Sequence, residues 1–235
     1  MRLDVLSDPI CPWCYIGRQH MQTALAELAG QGLRFTVAWR PFQLNPDMPA
    51  GGMPREDYRR AKFGSLERSR ELDAQVAATA EAAGLTINFA AMRRTPNTLA
   101  AHRLIRFAGS VGMQDEVVGQ LFQDYFVNGR DLGDPEVLAD AAASCRLDRP
   151  AVAEYLSGDA GAAEVRSEDQ ALRSAGIQGV PTFVLDDHVL FSGAVPASAF
   201  AERLARACRI LAARQPPVPQ PTDGIVSTIR ARDSR

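Results

Sequence analysis

Long apolar runs are missing from this sequence. None approaches the ~18 consecutive apolar residues of a membrane span, so no transmembrane helix is expected. Charge of one sign is also missing: 26 basic residues face 28 acidic ones, a formal net charge of −2. That leaves no electrostatic case for nucleic acid or an anionic membrane surface as partner. Of the basic residues only Lys62 is a lysine, a bias to which we attach no mechanism. Histidine is scarce, with three copies and no pair at i, i+4 spacing. Paired carboxylates, a phosphate-cradling glycine loop and a Ser/His/Asp set are absent too. Four cysteines in 235 residues do not make a disulfide scaffold. The N-terminus passes from Met1-Arg2 into an apolar strand without the basic and apolar regions of a secretory signal, so a cytoplasmic protein is expected.

What is there, at 46% hydrophobic and 23% charged residues, is an ordinary globular composition able to bury a core. Two of the four cysteines stand three apart in Cys11-Pro12-Trp13-Cys14. Cys-x-x-Cys alone is a weak pattern, but its setting sharpens it. A short apolar strand, 2–6, precedes it, and a helix with Trp13, Ile16, Met21, Ala24, Leu25 and Leu28 at helical spacing follows. Gly30 and Gly32 end that helix, and Leu33, Phe35, Val37 and Trp39 alternate as a half-buried strand. The start therefore reads β-α-β with parallel strands.

Glycine and proline are dense from Pro41 to Pro54, and no strand is expected between 54 and 175. Helices are expected near 55–63, from Ser65 to Ala83, and from Thr95-Pro96 (as cap and first helical residue) to about Ala108. The stripe Val117, Val118, Leu121, Phe122, Tyr125 and Phe126, closed by Gly129, predicts another. Asp134-Pro135 opens one reaching Cys145, and two more are expected near 149–157 and 160–175. Strand patterning resumes at Pro181–Leu185, turns at Asp186-Asp187 and returns through Val189–Phe191. Pro196 then opens a last helix, and a flexible proline-rich tail is expected beyond it. The fold class is α/β: a thioredoxin-like fold with a large all-helical insertion, the helices capping the cysteine end of the sheet. The division is 1–50 (β-α-β), 51–175 (insertion), 176–213 (β-β-α) and 214–235 (tail).

Thiolate is the nucleophile in disulfide exchange, and a helix N-terminus favours it. Cys11 falls at that end, with Pro12 suited to the first turn. Its thiol is expected in the ~3.5–7.5 range of such motifs, below the free value of ~8.5. No histidine stands between the cysteines, which argues against the most oxidising end of the scale. Cys14, one turn in, is expected to be more shielded and to resolve the mixed disulfide formed at Cys11. A zinc site would need two further ligands, which the spacing does not supply. Cys145, beside Leu138, Ala141 and Ala142, and Cys208, beside Leu204 and Leu211, read as small core residues rather than a disulfide pair. Val180-Pro181 is a second element. Its proline is either in cis beside the cysteines or in trans, merely starting the strand.

Ser7-Asp8-Pro9-Ile10-Cys11-Pro12-Trp13-Cys14-Tyr15-Ile16-Gly17 resembles the active-site segment of the DsbA family, in particular its FrnE-like branch. Arg40-Pro41-Phe42-Gln43-Leu44-Asn45-Pro46 resembles the same branch. So do Asn97-Thr98, Ala101-His102-Arg103-Leu104, Gly179–Val184 and Ser192-Gly193-Ala194. The resemblance covers about 3–210. It implies a redox-active Cys11–Cys14 disulfide, with Cys11 as nucleophile and Cys14 resolving, and Pro181 in cis with Val180 presenting backbone to substrate. Pro12 and Trp13 belong to that substrate surface. Asn97 and His102 complete the candidate set, although on the residues alone Asn97 reads as helix first-turn chemistry and His102 as a core histidine. Val195 stands where relatives tend to carry glutamine. A second cysteine pair found in some relatives is missing, so an internal electron relay is not expected.

The implied activity is thiol–disulfide exchange or isomerisation on protein or low-molecular-weight thiols and disulfides, with no bound cofactor and no metal. Kappa-class glutathione transferases and 2-hydroxychromene-2-carboxylate isomerases share the implied architecture and make glutathione a candidate co-substrate. Cys14 favours disulfide exchange over them, because only a second thiol gives intramolecular escape from a mixed disulfide. A redox-sensitive binding protein is a third reading. An apolar cap surface is compatible with a homodimer.

Overall fold

The computed structural model describes residues 1–214; the expected C-terminal tail lies outside them. The first unit is β1 (Arg2–Ser7), α1 (Pro12–Gly30) and β2 (Thr36–Pro41). β2 starts later than the alternation from Leu33 implies. The end of α1 claims those residues: Leu33 N–H bonds Leu28 O at 3.0 Å and Gly32 N–H bonds Ala29 O at 3.1 Å. This is a Schellman closure with Gly32 at φ +82°. β1 and β2 are parallel, with Leu3 opposite Val37 and Val5 opposite Trp39.

The chain then enters β3 (Met53–Pro54), α2 (Arg55–Phe63), α3 (Leu66–Ala82), β4 (Arg94–Thr95), α4 (Leu99–Ser110) and α5 (Gln114–Phe122). A π-helical turn over Gln123–Val127 follows, then α6 (Pro135–Ser144), α7 (Arg149–Ser157) and α8 (Ala162–Ser174). Two expectations are corrected here. β3 and β4 pair as a two-residue ribbon, Met53 opposite Thr95, too short to leave any alternation in the sequence. Thr95 is consumed by that ribbon and does not cap a helix. α4 starts at Leu99, whose N–H bonds the Asn97 side-chain oxygen at 2.9 Å. Asp134 caps its helix as expected, accepting from Glu136 N–H, and the Ser65 and Asp148 side chains do the same for α3 and α7, accepting from Arg68 and Ala151 N–H. The π-turn keeps Phe122, Tyr125 and Phe126 all buried.

β5 (Thr182–Leu185), β6 (His188–Ser192) and α9 (Ala197–Arg214) complete the fold. The sheet order is β2-β1-β5-β6, with β5 antiparallel to both neighbours. β1 is interior to the sheet, so Leu3, Val5 and Leu6 are buried irrespective of alternation. Phe183, Phe191 and Phe200 pack with centroids 4.7–5.1 Å apart where the last hairpin meets α9. Edge strand β2 is closed by a side chain: Gln114 accepts from Trp39 N–H at 2.8 Å and donates to Trp39 O at 3.2 Å. Cys145 and Cys208 are free, buried thiols in the core, as expected. No helix among the described residues is long and apolar enough to cross a membrane.

Buried Arg103 on α4 locks the far side of the insertion. Its guanidinium donates to the carbonyl oxygens of Tyr155, Leu156, Gly158 and Ala160 at 2.5–3.2 Å. Truncating it removes four bonds from a charged donor, worth ~1.5–3 kcal/mol each at most, and leaves the buried Leu156 carbonyl without its partner. Arg103→Ala is therefore expected to lose roughly 3 kcal/mol or more in urea unfolding. A loss under ~1 kcal/mol would show that water satisfies those carbonyls instead.

Candidate active site

β1 delivers the chain to a tight loop in which Cys11 N–H bonds Asp8 O at 2.9 Å. Cys11 is the N-cap of α1, in an extended conformation (φ −87°, ψ 113°), with Pro12 in the first turn. Its carbonyl accepts from Cys14 and Tyr15 N–H at 3.0 and 3.2 Å. The sulfur thus sits where the unpaired N–H groups of a 19-residue helix converge. Cys14 lies behind it, the two free thiols in hydrogen-bond contact. Cys14 is the more shielded, at 1% exposure, but Cys11 is only 3% exposed itself. Burial pushes the Cys14 thiol well above the usual range, and the neighbouring Cys11 adds to this. The Ser7 hydroxyl and the Asp8 amide pull the other way.

The second wall comes from the other end of the chain. Val180–Pro181 is a cis peptide, as the resemblance implies. The Val180 carbonyl accepts from the Cys11 thiol at 3.6 Å. Pro181 is held by Gly193 N–H to its own carbonyl at 2.7 Å. It packs so closely on α1 that a Cβ on Gly17 would stand 2.9 Å from Pro181 Cγ.

Cys11, Pro12, Trp13, Gly179 and Val180 open onto a cavity of about 320 Å3, roofed by the insertion. Trp13 is 40% exposed at its rim. Asn97 and His102 lie away from this cavity. Asn97 bonds Met48 O at 2.6 Å and the first turn of α4. His102 is buried on the opposite side of the cysteine loop, its Nε2 3.8 Å from Asp8 Oδ1.

The roof supplies residues the sequence reading did not select. Arg55 and Arg59 share Asp73 at 2.8 and 2.6 Å, and Lys62 donates to the Tyr58 hydroxyl at 2.6 Å. Leu72, Val76, Phe89 and Met92 add apolar wall. In sequence the basic residues of α2 look like any solvated helix face, and nothing local says that this face turns onto Cys11. Asp8 was visible only as part of a motif. No cluster of metal-ligating side chains occurs among the described residues.

A family model described as a DSBA-like thioredoxin domain matches residues 2–205. The chain belongs to the DsbA-like thioredoxin family. Members of this family are thiol–disulfide oxidoreductases. A probable DsbA oxidoreductase, SCO1869 of Streptomyces coelicolor, has a similar structure, with a TM-score of 0.82 and 30% identity over 94% of this chain and 93% of that one. The cytosolic disulfide reductase DsbM of Pseudomonas aeruginosa, in its structure with GSH, shares the fold at a TM-score of 0.63 and 18% identity. That match covers 90% of this chain and all of that one (100%). The uncharacterised protein YwbO of Bacillus subtilis is 26% identical over 198 residues, 81% of this chain and 89% of YwbO.

The contact between Gly17 and Pro181 makes a sharp expectation for this DsbA-like site. Gly17→Ala must push the Val180–Pro181 wall off α1, at a cost of about 1–3 kcal/mol for overpacking. Urea unfolding should show that loss together with slower thiol exchange. An unchanged midpoint and rate would mean that the wall yields freely.

Proposed function

We propose that this chain is a dithiol–disulfide oxidoreductase in which Cys11 attacks and Cys14 resolves. The observation that carries the reading is the stacking of the two thiols at one helix N-terminus. Cys11 faces the cavity and Cys14 lies behind it, out of reach of substrate.

The Cys11 thiolate attacks one sulfur of a substrate disulfide. A Cys11–substrate bond forms, the substrate S–S bond breaks, and the first substrate thiolate leaves and takes a proton. Cys14 then loses its proton and attacks Cys11. The Cys11–Cys14 disulfide forms while the second substrate thiol is released, so the protein is oxidised by two electrons and the substrate reduced by two. The reverse sequence oxidises a dithiol. Isomerisation of a protein disulfide follows when the mixed disulfide is attacked from within the substrate.

A low-molecular-weight disulfide suits the site better than a folded protein surface. Cys11 is nearly covered, and the roofed volume is of small-molecule size. The roof carries three cations and one carboxylate, Asp73, which only Arg55 and Arg59 share, and this excess of positive charge fits an anionic thiol such as glutathione as co-substrate. A reducing, cytoplasmic compartment agrees with this reading.

Cys11→Ser should abolish turnover of oxidised glutathione and of scrambled protein, whereas Cys14→Ser should accumulate a mixed disulfide at Cys11. Because burial raises the Cys14 thiol, release from the wild-type mixed disulfide should accelerate with rising pH, up to about tenfold per unit while the thiolate is scarce. Full glutathione-dependent turnover by Cys14→Ser would favour a transferase or isomerase instead.

A further inference from the structure

On the side of the cysteine loop away from the cavity, disulfide exchange leaves a buried pair unused. The Asp8 carboxyl is wholly buried, and no lysine or arginine among the described residues pairs with it. Its Oδ2 accepts from Leu44 N–H at 2.6 Å and from the Thr98 hydroxyl at 3.4 Å, and its Oδ1 accepts from Ile10 N–H at 3.3 Å. Facing Oδ1 at 3.8 Å is Nε2 of His102, buried and without any hydrogen-bond partner.

The distance alone would suit an ion pair, but the surroundings do not. Burial drives the Asp8 acid up to about 7, against the pull of its three donors, and Asp169 on α8 adds to the rise. Burial likewise drives His102 down to about 3. Near neutrality the imidazole is therefore uncharged. Between the two values the arrangement that leaves no buried charge puts the proton on Asp8, whose Oδ1 faces Nε2 at 3.8 Å, longer than a hydrogen bond.

We propose that Asp8 and His102 hold a single proton between them, and that this neutral pair makes Asp8 the positioning residue of the cysteine loop. Asp8 is suited to the part because its main chain touches both sulfur-bearing residues. Its carbonyl accepts from Cys11 N–H, and its amide faces the Cys14 thiol. A bare carboxylate in the same loop, three residues before Cys11, would oppose thiolate formation, and a neutral acid does not.

The other ionisable groups around the pair are Cys11 at the N-cap of α1, Cys14 on α1, Arg40 on β2, Tyr125 in the π-turn, Asp169 on α8 with its partner Arg173, and, along the groove beside His102, Arg2 on β1, Arg106 on α4, and Glu164 and Glu168 on α8. His102 also borders a groove of about 660 Å3 between β2, α4 and α8, apart from the substrate cavity.

Folding then moves one proton from histidine to aspartate and takes up none. Unfolded, at a pH between the two ordinary values, the aspartate is bare and the histidine charged; folded, the reverse holds. Each partner alone would act with opposite sign. A lone Asp8 with a raised folded value is stabilising at low pH and loses that stability as pH rises from about 4 to 7. A lone His102 with a depressed value gains stability as pH rises from about 3 to 6.5.

The test is urea unfolding of the full chain between pH 4 and 7. Relative to wild type, His102→Gln should lose folding equilibrium constant as pH rises, and Asp8→Asn should gain it, each by up to tenfold per unit. Parallel pH profiles for all three proteins overturn the proposal. Should either variant fail to fold, carbon-13 NMR of aspartate-labelled wild type decides: one carboxyl should titrate near 7, and none doing so above about 5 refutes it. The positioning role, which rests on the oxidoreductase reading, is read from iodoacetamide alkylation. The wild-type pH profile should show an inflection near 7 that Asp8→Asn lacks; identical profiles overturn it. None of these measurements needs turnover, so failure of the pair and failure of the exchange activity remain distinguishable.

Discussion

Everything at the cysteines depends on the antiparallel pairing of β1 with β5, strands from opposite ends of the chain. Leu3 opposes Leu185 and Leu6 opposes Thr182. That register sets Val180 beside Cys11, because each strand ends one short loop away from its half of the site. A slip by one residue would turn Val5 and Phe183 out of the core and carry the Val180 carbonyl away from the thiol. The phenylalanine cluster of β5, β6 and α9 secures the pairing from beneath.

The helical insertion can therefore be large without disturbing the chemistry. It leaves the sheet after β2 and returns before β5, and it contributes two different things. Towards the cavity it sends α2 and α3, which roof Cys11 and bring cations to an otherwise apolar chamber. Towards the back it sends α4, whose Thr98 and His102 meet Asp8. The cysteine loop is thus held between two faces of one insertion. In the proposed exchange the substrate meets the first, and in the proposed Asp8–His102 pair the second sets the charge beneath the thiols.

Much of this was legible in the sequence because local signals and global fold agree. The apolar strand, Pro12, the capped starts at Ser65 and Asp134, and the Asp186-Asp187 turn each announce their element in residues a few positions apart. The failures are of another kind. Thr95-Pro96 has the chemistry of a helix start, but Met53 pairs with Thr95 first, a contact across more than forty residues. Leu33 alternates like a strand, yet its amide is already spent closing α1. Lys62 and Asp8 carry no local sign of their place. A lysine on a polar helix and an aspartate before a proline are common on surfaces, and only the docking of the insertion makes one a cavity wall and the other a buried acid.

The glutamine at the edge of β2 has a consequence of its own. Gln114 presents to Trp39 one donor and one acceptor, as a neighbouring strand would, and Gly109 leaves the room: a Cβ there would come 3.1 Å from Nε2. A single amide side chain therefore stands in for a fifth strand. Sheet growth stops on that side without a charged or proline-studded border, and what would be a template for self-association becomes the seam along which α5 is stitched to the sheet.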